Sequence, residues 1–148
     1  MSLAMKVFGH PLHIMLIHFP SALFPMELVC YALYYYTGQA SFAQAALYAM
    51  TGGVALGWLA AIFGGMDMLK IPSDKIEIMK KALLHGCINV TVITVYTVLA
   101  YSLFKKYPDL PKATITLLIV KFCVVGFMII ANYMGGSLIL KDKIGIEK

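Results

Sequence analysis

Arginine is absent from this chain, and all twelve of its basic residues are lysine. Charge of either sign is scarce. Charged residues make up 13% of the chain against 61% hydrophobic ones, and the mean hydropathy is +0.83. A soluble domain with that balance would have too apolar a surface to stay dispersed, which excludes the soluble globular class and points to a bilayer as solvent. The net charge of +5 is no nucleic-acid footprint. The lysines sit in short loops between apolar runs, with no basic patch interleaved with aromatic rings, and so read as flanks of membrane spans. Cysteine is nearly missing as well. Cys30, Cys87 and Cys123 each stand alone in an apolar run, with no C-x-x-C pair and no C-x-x-C-H for covalent haem attachment, and read as small buried hydrophobes. No catalytic triad, phosphate loop or carboxylate pair argues for a hydrolase or transferase, so whether the chain is an enzyme stays open. Histidines and prolines interrupt the first apolar stretch and no small-x-small cleavage site follows, so the first span is expected to be retained.

What is present is long apolar runs. Four can be drawn, about 11–36, 42–69, 81–104 and 112–140, each long enough for the roughly 20 residues a spanning helix needs. The breaks between them are short and polar. Short connections make neighbours antiparallel, so residues 1–148 are expected to form a single all-α domain, an integral membrane up-down four-helix bundle. The lysines orient it. Eight of them (Lys6, Lys70, Lys75, Lys80, Lys81, Lys141, Lys143 and Lys148) fall on the side of the termini, and three (Lys105, Lys106 and Lys112) on the other. That bias places both termini in the cytoplasm. Tyr34, Tyr35, Tyr36, Tyr101 and Tyr107 then form an aromatic belt at the far interface. Pro20 and Pro25 each remove an amide donor and clash with the carbonyl four residues back, so kinks are expected in the first helix. In the second, Ala45, Ala49, Gly53, Gly57, Ala61 and Gly65 recur every four residues. This small-residue stripe suits close helix contact, either within the bundle, against a planar cofactor, or in an oligomer through the Gly53/Gly57/Ala61 face.

The polar residues inside these runs carry the chemistry. Glu27 and Lys121 both lie roughly 13 Å below the far boundary at 1.5 Å per residue. An acid and a base at one depth, each costly alone, are most simply an ion pair. A second layer lies toward the termini: His10, His13, His18, Asp67, His85 and Asn89. Imidazoles from different helices at one depth are the raw material of a bis-histidine haem b site or a metal site. His18 is the deeper of the N-terminal histidines, so His18 and His85 are the expected ligands, with His13 as substitute. On a straight helix, however, His13 lies within about 40° of Glu27 and His18 about 180° away. His10 and His13 could instead line the mouth, and Asp67 could orient an imidazole ring. A purely structural role for the histidines also stays open, as caps on helix ends and partners of freed carbonyls.

Gly9-His10-Pro11-Leu12-His13 followed by His18-Phe19-Pro20 resembles the opening of a widespread family of small four-span bacterial and archaeal membrane proteins, known only as a domain of unknown function. The resemblance continues through Gly65-Met66-Asp67-Met68-Leu69, His85 with Asn89, and Gly135-Gly136-Ser137-Leu138 followed by Gly145. Ser137 stands where the family usually carries an acid. The resemblance implies the four-span fold and functional histidines. Because members are similar to subunits found beside cytochromes, it also favours haem. The leading expectation is therefore a small membrane cytochrome b-like protein or subunit, with one haem b between helices, exchanging electrons with quinone or with other redox or cytochrome subunits. The rivals are a cofactor-free structural or assembly subunit of a larger membrane redox complex, and a metal- or proton-handling protein.

Overall fold

The computed structural model describes residues 6–8 and 10–142. Gly9, Lys143, Gly145 and Lys148, used above for motif and charge, lie outside the described residues. A two-residue strand pair, β1 (Lys6–Val7) and β2 (His10–Pro11), leads into α1 (Leu12–Leu16) and α2 (His18–Thr37), which together make the first span. Three long helices follow, α3 (Ala40–Met68), α4 (Ile76–Phe104) and α5 (Ile115–Leu140). All four spans are long and apolar enough to cross a membrane.

Local chemistry sets the boundaries. Gly38 takes a left-handed conformation (φ 70°) and its amide bonds to the Tyr34 carbonyl, closing α2, a position where the missing Cβ removes the usual penalty. The Thr114 side chain accepts from the Leu117 amide at 3.3 Å and starts α5. That cap follows Pro111, which is why the fourth span begins three residues later than its apolar run. The third begins five residues earlier than expected, because Ile76 to Lys80 extend the helix beyond the apolar stretch, with Glu77 in the first turn. Pro20 has no amide to give the Leu16 carbonyl, and the chain breaks between α1 and α2 at Ile17. Pro25 stays within a continuous α2.

The helices form a ring, α2 beside α3, α3 beside α4, α4 beside α5, and α5 closing on α2. In the middle Phe24 and Tyr96 stack, with centroids 4.1 Å apart and planes 5° from parallel. Met50, Val92, Ile93, Val125 and Met128 pack around them. The middle of the α3 stripe, Ala49, Gly53 and Gly57, faces inward, while Ala45 is exposed. A Cβ on Gly53 would come within 2.6 Å of the Phe24 ring, and one on Gly57 within 3.2 Å of Ile93. Gly53 and Gly57 are buried by their own chain, so the proposed oligomer contact through Gly53, Gly57 and Ala61 is corrected. The stripe also leaves no flat groove for a cofactor at Gly53, because a phenyl ring fills it.

Polar bonds stitch the closing seam between α2 and α5. The Asn132 amide donates to Ser21 Oγ at 3.0 Å, the Thr114 amide to the Tyr31 hydroxyl at 3.0 Å, and the Tyr34 hydroxyl to the Pro111 carbonyl at 3.3 Å. Tyr35, Tyr36, Tyr101 and Tyr107 are exposed at the same end of the bundle.

Candidate functional site

Two polar layers sit inside the bundle. In the layer far from the termini, Lys121 Nζ donates to Glu27 Oε1, and both side chains are fully buried. The Lys121 ammonium also lies over the Tyr31 ring, 4.3 Å from its centroid, where the ring quadrupole attracts it. The buried Tyr96 hydroxyl sits beside the Glu27 carboxylate without good hydrogen-bond geometry, leaving Tyr96 Oη and Glu27 Oε2 without a partner.

The layer nearer the termini is built from His13 and His85. His13 Nδ1 lies 2.8 Å from the Ala60 carbonyl of α3, and its ring rests on Gly64, where a Cβ would come within 2.7 Å of Cε1. His85 repeats this on the other side. Its Nδ1 lies 2.7 Å from the Ala131 carbonyl of α5, and its ring rests on Gly135, again 2.7 Å from where a Cβ would be. A carbonyl can only accept, so Nδ1 carries the proton in both rings. That leaves the in-plane lone pair of each Nε2 available. The two rings come from spans at opposite corners of the ring of helices and are near enough to interact electrostatically.

Asn89 adds a one-sided feature. Its Nδ2 donates to the His85 backbone carbonyl at 3.0 Å and lies 3.3 and 3.4 Å from the two ring nitrogens of His85. An atom so nearly equidistant from both nitrogens would collide with ring carbons if it lay in the ring plane. The amide therefore sits over the ring face and does not occupy the Nε2 lone pair.

The equivalence of the two halves runs deep. His13 and Ala60 are 47 residues apart and His85 and Ala131 are 46 apart. Ala60-Ala61-Ile62-Phe63-Gly64-Gly65 matches Ala131-Asn132-Tyr133-Met134-Gly135-Gly136 in its alanine and both glycines. Phe24 and Tyr96, stacked on each other at the centre, are separated by the same step as His13 and His85. The bundle is thus two similar helical hairpins about a pseudo-two-fold axis along the membrane normal. The ion pair breaks the symmetry, for Leu99 and Met50 occupy the places equivalent to Glu27 and Lys121.

The remaining candidates fall elsewhere. His18 is exposed, on the side of the first span away from the axis, and is not brought together with His85; its Nδ1 has only a 3.4 Å approach to the Met15 carbonyl. His10 is exposed in β2. Asp67 is buried and pairs with Lys70 at 3.5 Å, while backbone carbonyls orient the His13 and His85 rings. Among the described residues no group of three or more His, Cys, Asp or Glu side chains gathers as a metal cage. Sequence reasoning missed the two carbonyl acceptors and the glycines beneath the rings. The matched Ala-x-x-x-Gly-Gly segments, each 46 or 47 residues after a histidine, were the signal that could have found them.

No curated protein and no solved structure matches the chain. Residues 9–148 match the family model described as Predicted membrane protein (DUF2231). A match over nearly the whole length establishes that the chain belongs to that family, a four-span membrane family of unknown function.

Proposed function

We propose that the protein is a small membrane cytochrome b-like electron carrier, with one haem b held between His13 and His85. One observation carries this reading. Two imidazoles from opposite corners of the bundle both have Nδ1 bonded to a backbone carbonyl, which leaves both Nε2 atoms free, and these are the nitrogens that would hold a haem. Histidines that ligate a metal nearly always give their other N–H to a carbonyl or carboxylate, which fixes the ring and raises its basicity. Gly64 and Gly135 admit the rings into the helix grooves where any side chain would push them out. The ligand pair expected from depth, His18 with His85, is thus replaced by His13 with His85.

A bound haem supplies one-electron chemistry. The chain's part is to hold two rings in a fixed tautomer, to stack Asn89 on one of them, and to keep water out with the apolar core above. Redox partners are quinone or neighbouring cytochrome subunits. The lysine bias supports both termini in the cytoplasm.

The test is an absorption spectrum of protein expressed with haem available and purified from membranes. Sharp bands that intensify on dithionite reduction are expected, and H13A and H85A should each abolish the six-coordinate signature. A colourless protein, or one with stoichiometric zinc, overturns the haem. Recovery only in company with other subunits, without pigment, favours a structural subunit.

A further inference from the structure

We propose that Glu27, Tyr96 and Lys121 form a buried proton-binding site that opens toward the far side of the membrane through Tyr31. Such a site needs no haem. An ionisable group inside a membrane span is a candidate functional position, and a structural ion pair would need only Glu27 and Lys121. More than a pair is built here. Glu27, Lys121, Tyr96 and Tyr31 stand where the other hairpin has Leu99, Met50, Phe24 and Leu103, so four polar departures from the repeat collect in one place. Tyr96 differs from Phe24 only in its hydroxyl, and that hydroxyl lies beside the Glu27 carboxylate. Tyr96 Oη and Glu27 Oε2 are both buried and both without a partner.

These two oxygens suit a carboxyl that changes its protonation state, because a phenol hydroxyl both donates and accepts. Facing a carboxylate, Tyr96 can turn its O–H toward Oε2. Once Oε2 carries a proton, that O–H donates to Tyr96 Oη instead. Lys121 stays supported in both states. Its Nζ donates to Oε1, which accepts as carboxylate or as carboxylic acid, and the ammonium lies 4.3 Å from the Tyr31 ring centroid. The ring face attracts the positive charge that uptake leaves uncompensated, a support that a permanent ion pair would not require. In the step, water gives up one proton to Oε2 and the site gains one positive charge. The titratable groups around Glu27 are Lys121 on α5, Tyr96 on α4, and Tyr31 and Cys30 on α2 itself. From α3, Met50 and Val54 pack in the adjoining core and neither titrates.

Access is one-sided. Toward the termini the axis is closed by the Phe24–Tyr96 stack with Met50, Val92, Val125 and Met128. In the other direction Tyr31 lies one helical turn beyond Glu27. Its hydroxyl accepts from the Thr114 amide at 3.0 Å, and Thr114 is exposed at the start of α5. Accepting there leaves the Tyr31 O–H hydrogen for proton transfer between that interface and the pair.

Infrared difference spectroscopy of the purified protein in lipid nanodiscs, stepped from pH 8 to 5, reads the site directly. The carbonyl stretch of a buried carboxylic acid should grow in the parent as pH falls. It should be missing in E27Q and in E27L/K121M, the second of which strands no charge. Y96F, which leaves a ring to stack on Phe24, should keep the band at higher frequency, because the acid has lost its acceptor. Y31F keeps the ring under Lys121 and loses the hydroxyl. After a rapid pH jump its band should grow roughly 10²-fold more slowly, the worth of one positioned proton-transfer group. A parent without the band overturns the site, and so does a band that survives both Glu27 changes. An unmoved band in Y96F overturns the Tyr96 contact, and a Y31F rate within twofold of the parent overturns the far-side opening. None of these readouts depends on pigment, so a colourless protein would overturn the haem and leave this site standing.

Discussion

Removing one member of the Glu27–Lys121 pair should harm the bundle far more than removing both. Both side chains are fully buried, and a buried charge stripped of its partner costs about 3–5 kcal/mol. That range can be checked from the chemistry. A stranded group does best by losing its charge. At pH 7 this costs roughly 3.7 kcal/mol for a carboxyl that ordinarily titrates near 4.3, and roughly 4.6 kcal/mol for an amine that ordinarily titrates near 10.4, at 1.36 kcal/mol per pH unit. These figures act as ceilings, and both fall inside the range. The double change E27L/K121M strands nothing. It also installs the residue types that the other hairpin carries at its equivalent positions, Leu99 and Met50, so the volume suits the fold. Replacing a buried pair by apolar residues of similar size is neutral or stabilises by about 1–4 kcal/mol.

Reversible unfolding in mixed detergent micelles, followed by helical circular dichroism, measures all four proteins. The expected loss is about 3–5 kcal/mol for each single variant and less than about 1 kcal/mol for the double. The pH signs differ between the singles. Neutralising a carboxyl becomes easier in acid, so the defect of K121M should shrink as pH falls from 8 to 5. Neutralising an amine becomes easier in base, so the defect of E27L should shrink as pH rises from 7 to 10. A double variant as unstable as the two singles combined would refute the pairing, and singles with matching pH slopes would refute the account of the stranded charge.

The remaining predictions address the histidine layer and the closing seam. G64A and G135A each place a Cβ 2.7 Å from an imidazole carbon, and haem content by pyridine haemochrome should fall sharply in both. G65A and G136A, whose added Cβ would meet nothing within 4 Å, should retain haem and gain up to about 1 kcal/mol of helix stability. N89L removes the amide stacked on His85; redox titration should show a shifted midpoint with haem retained, and an unchanged midpoint would leave Asn89 a packing residue. N132A leaves Ser21 Oγ without its donor and should cost about 0.6–1.7 kcal/mol in the same unfolding assay, the range for such bonds between membrane helices.

The span count, the antiparallel order and the depth of the charged pair were legible because each follows from one-dimensional quantities: run length, loop length and rise per residue. Helix ends were legible only where the cap lay at the edge of the apolar run. The Ile76–Lys80 extension fell outside its run, and the Thr114 cap, though inside the fourth run, starts α5 three residues past the run's start. The site was harder. Depth favoured His18, whereas the helical angle, about 40° between His13 and Glu27, favoured His13. The prolines gave reason to discount the angle, yet Ile17, between His13 and Glu27, keeps helical backbone angles (φ −62°, ψ −21°) and Pro25 leaves α2 continuous, so the faces kept their register. The Ala60 and Ala131 carbonyls were legible only through the repeated Ala-x-x-x-Gly-Gly segments, because backbone acceptors carry no residue type. The inward face of Gly53 and Gly57 was not legible, since a small-residue stripe serves contact within a chain and between chains equally well.

The repeat separates what is symmetric in this bundle from what is not. A four-helix ring made of two similar hairpins needs only apolar packing at equivalent depths, and the Phe24–Tyr96 stack shows such packing at the centre. The histidine, carbonyl and glycine set occurs in both hairpins. Each imidazole recurs with its Nδ1 bonded to a backbone carbonyl, which leaves its Nε2 free. The Glu27–Lys121 pair occurs once, where the other hairpin does without charge. It sits on the α2–α5 seam, the one contact between the two hairpins that closes the ring, alongside the Ser21–Asn132 and Tyr31–Thr114 bonds. A costly buried pair placed only there acts as a register pin. It selects which faces of α2 and α5 meet, and with them how the two histidine-bearing spans sit across the ring of helices. The double variant should then fold stably but hold haem less tightly, a division between stability and binding that neither layer alone would produce.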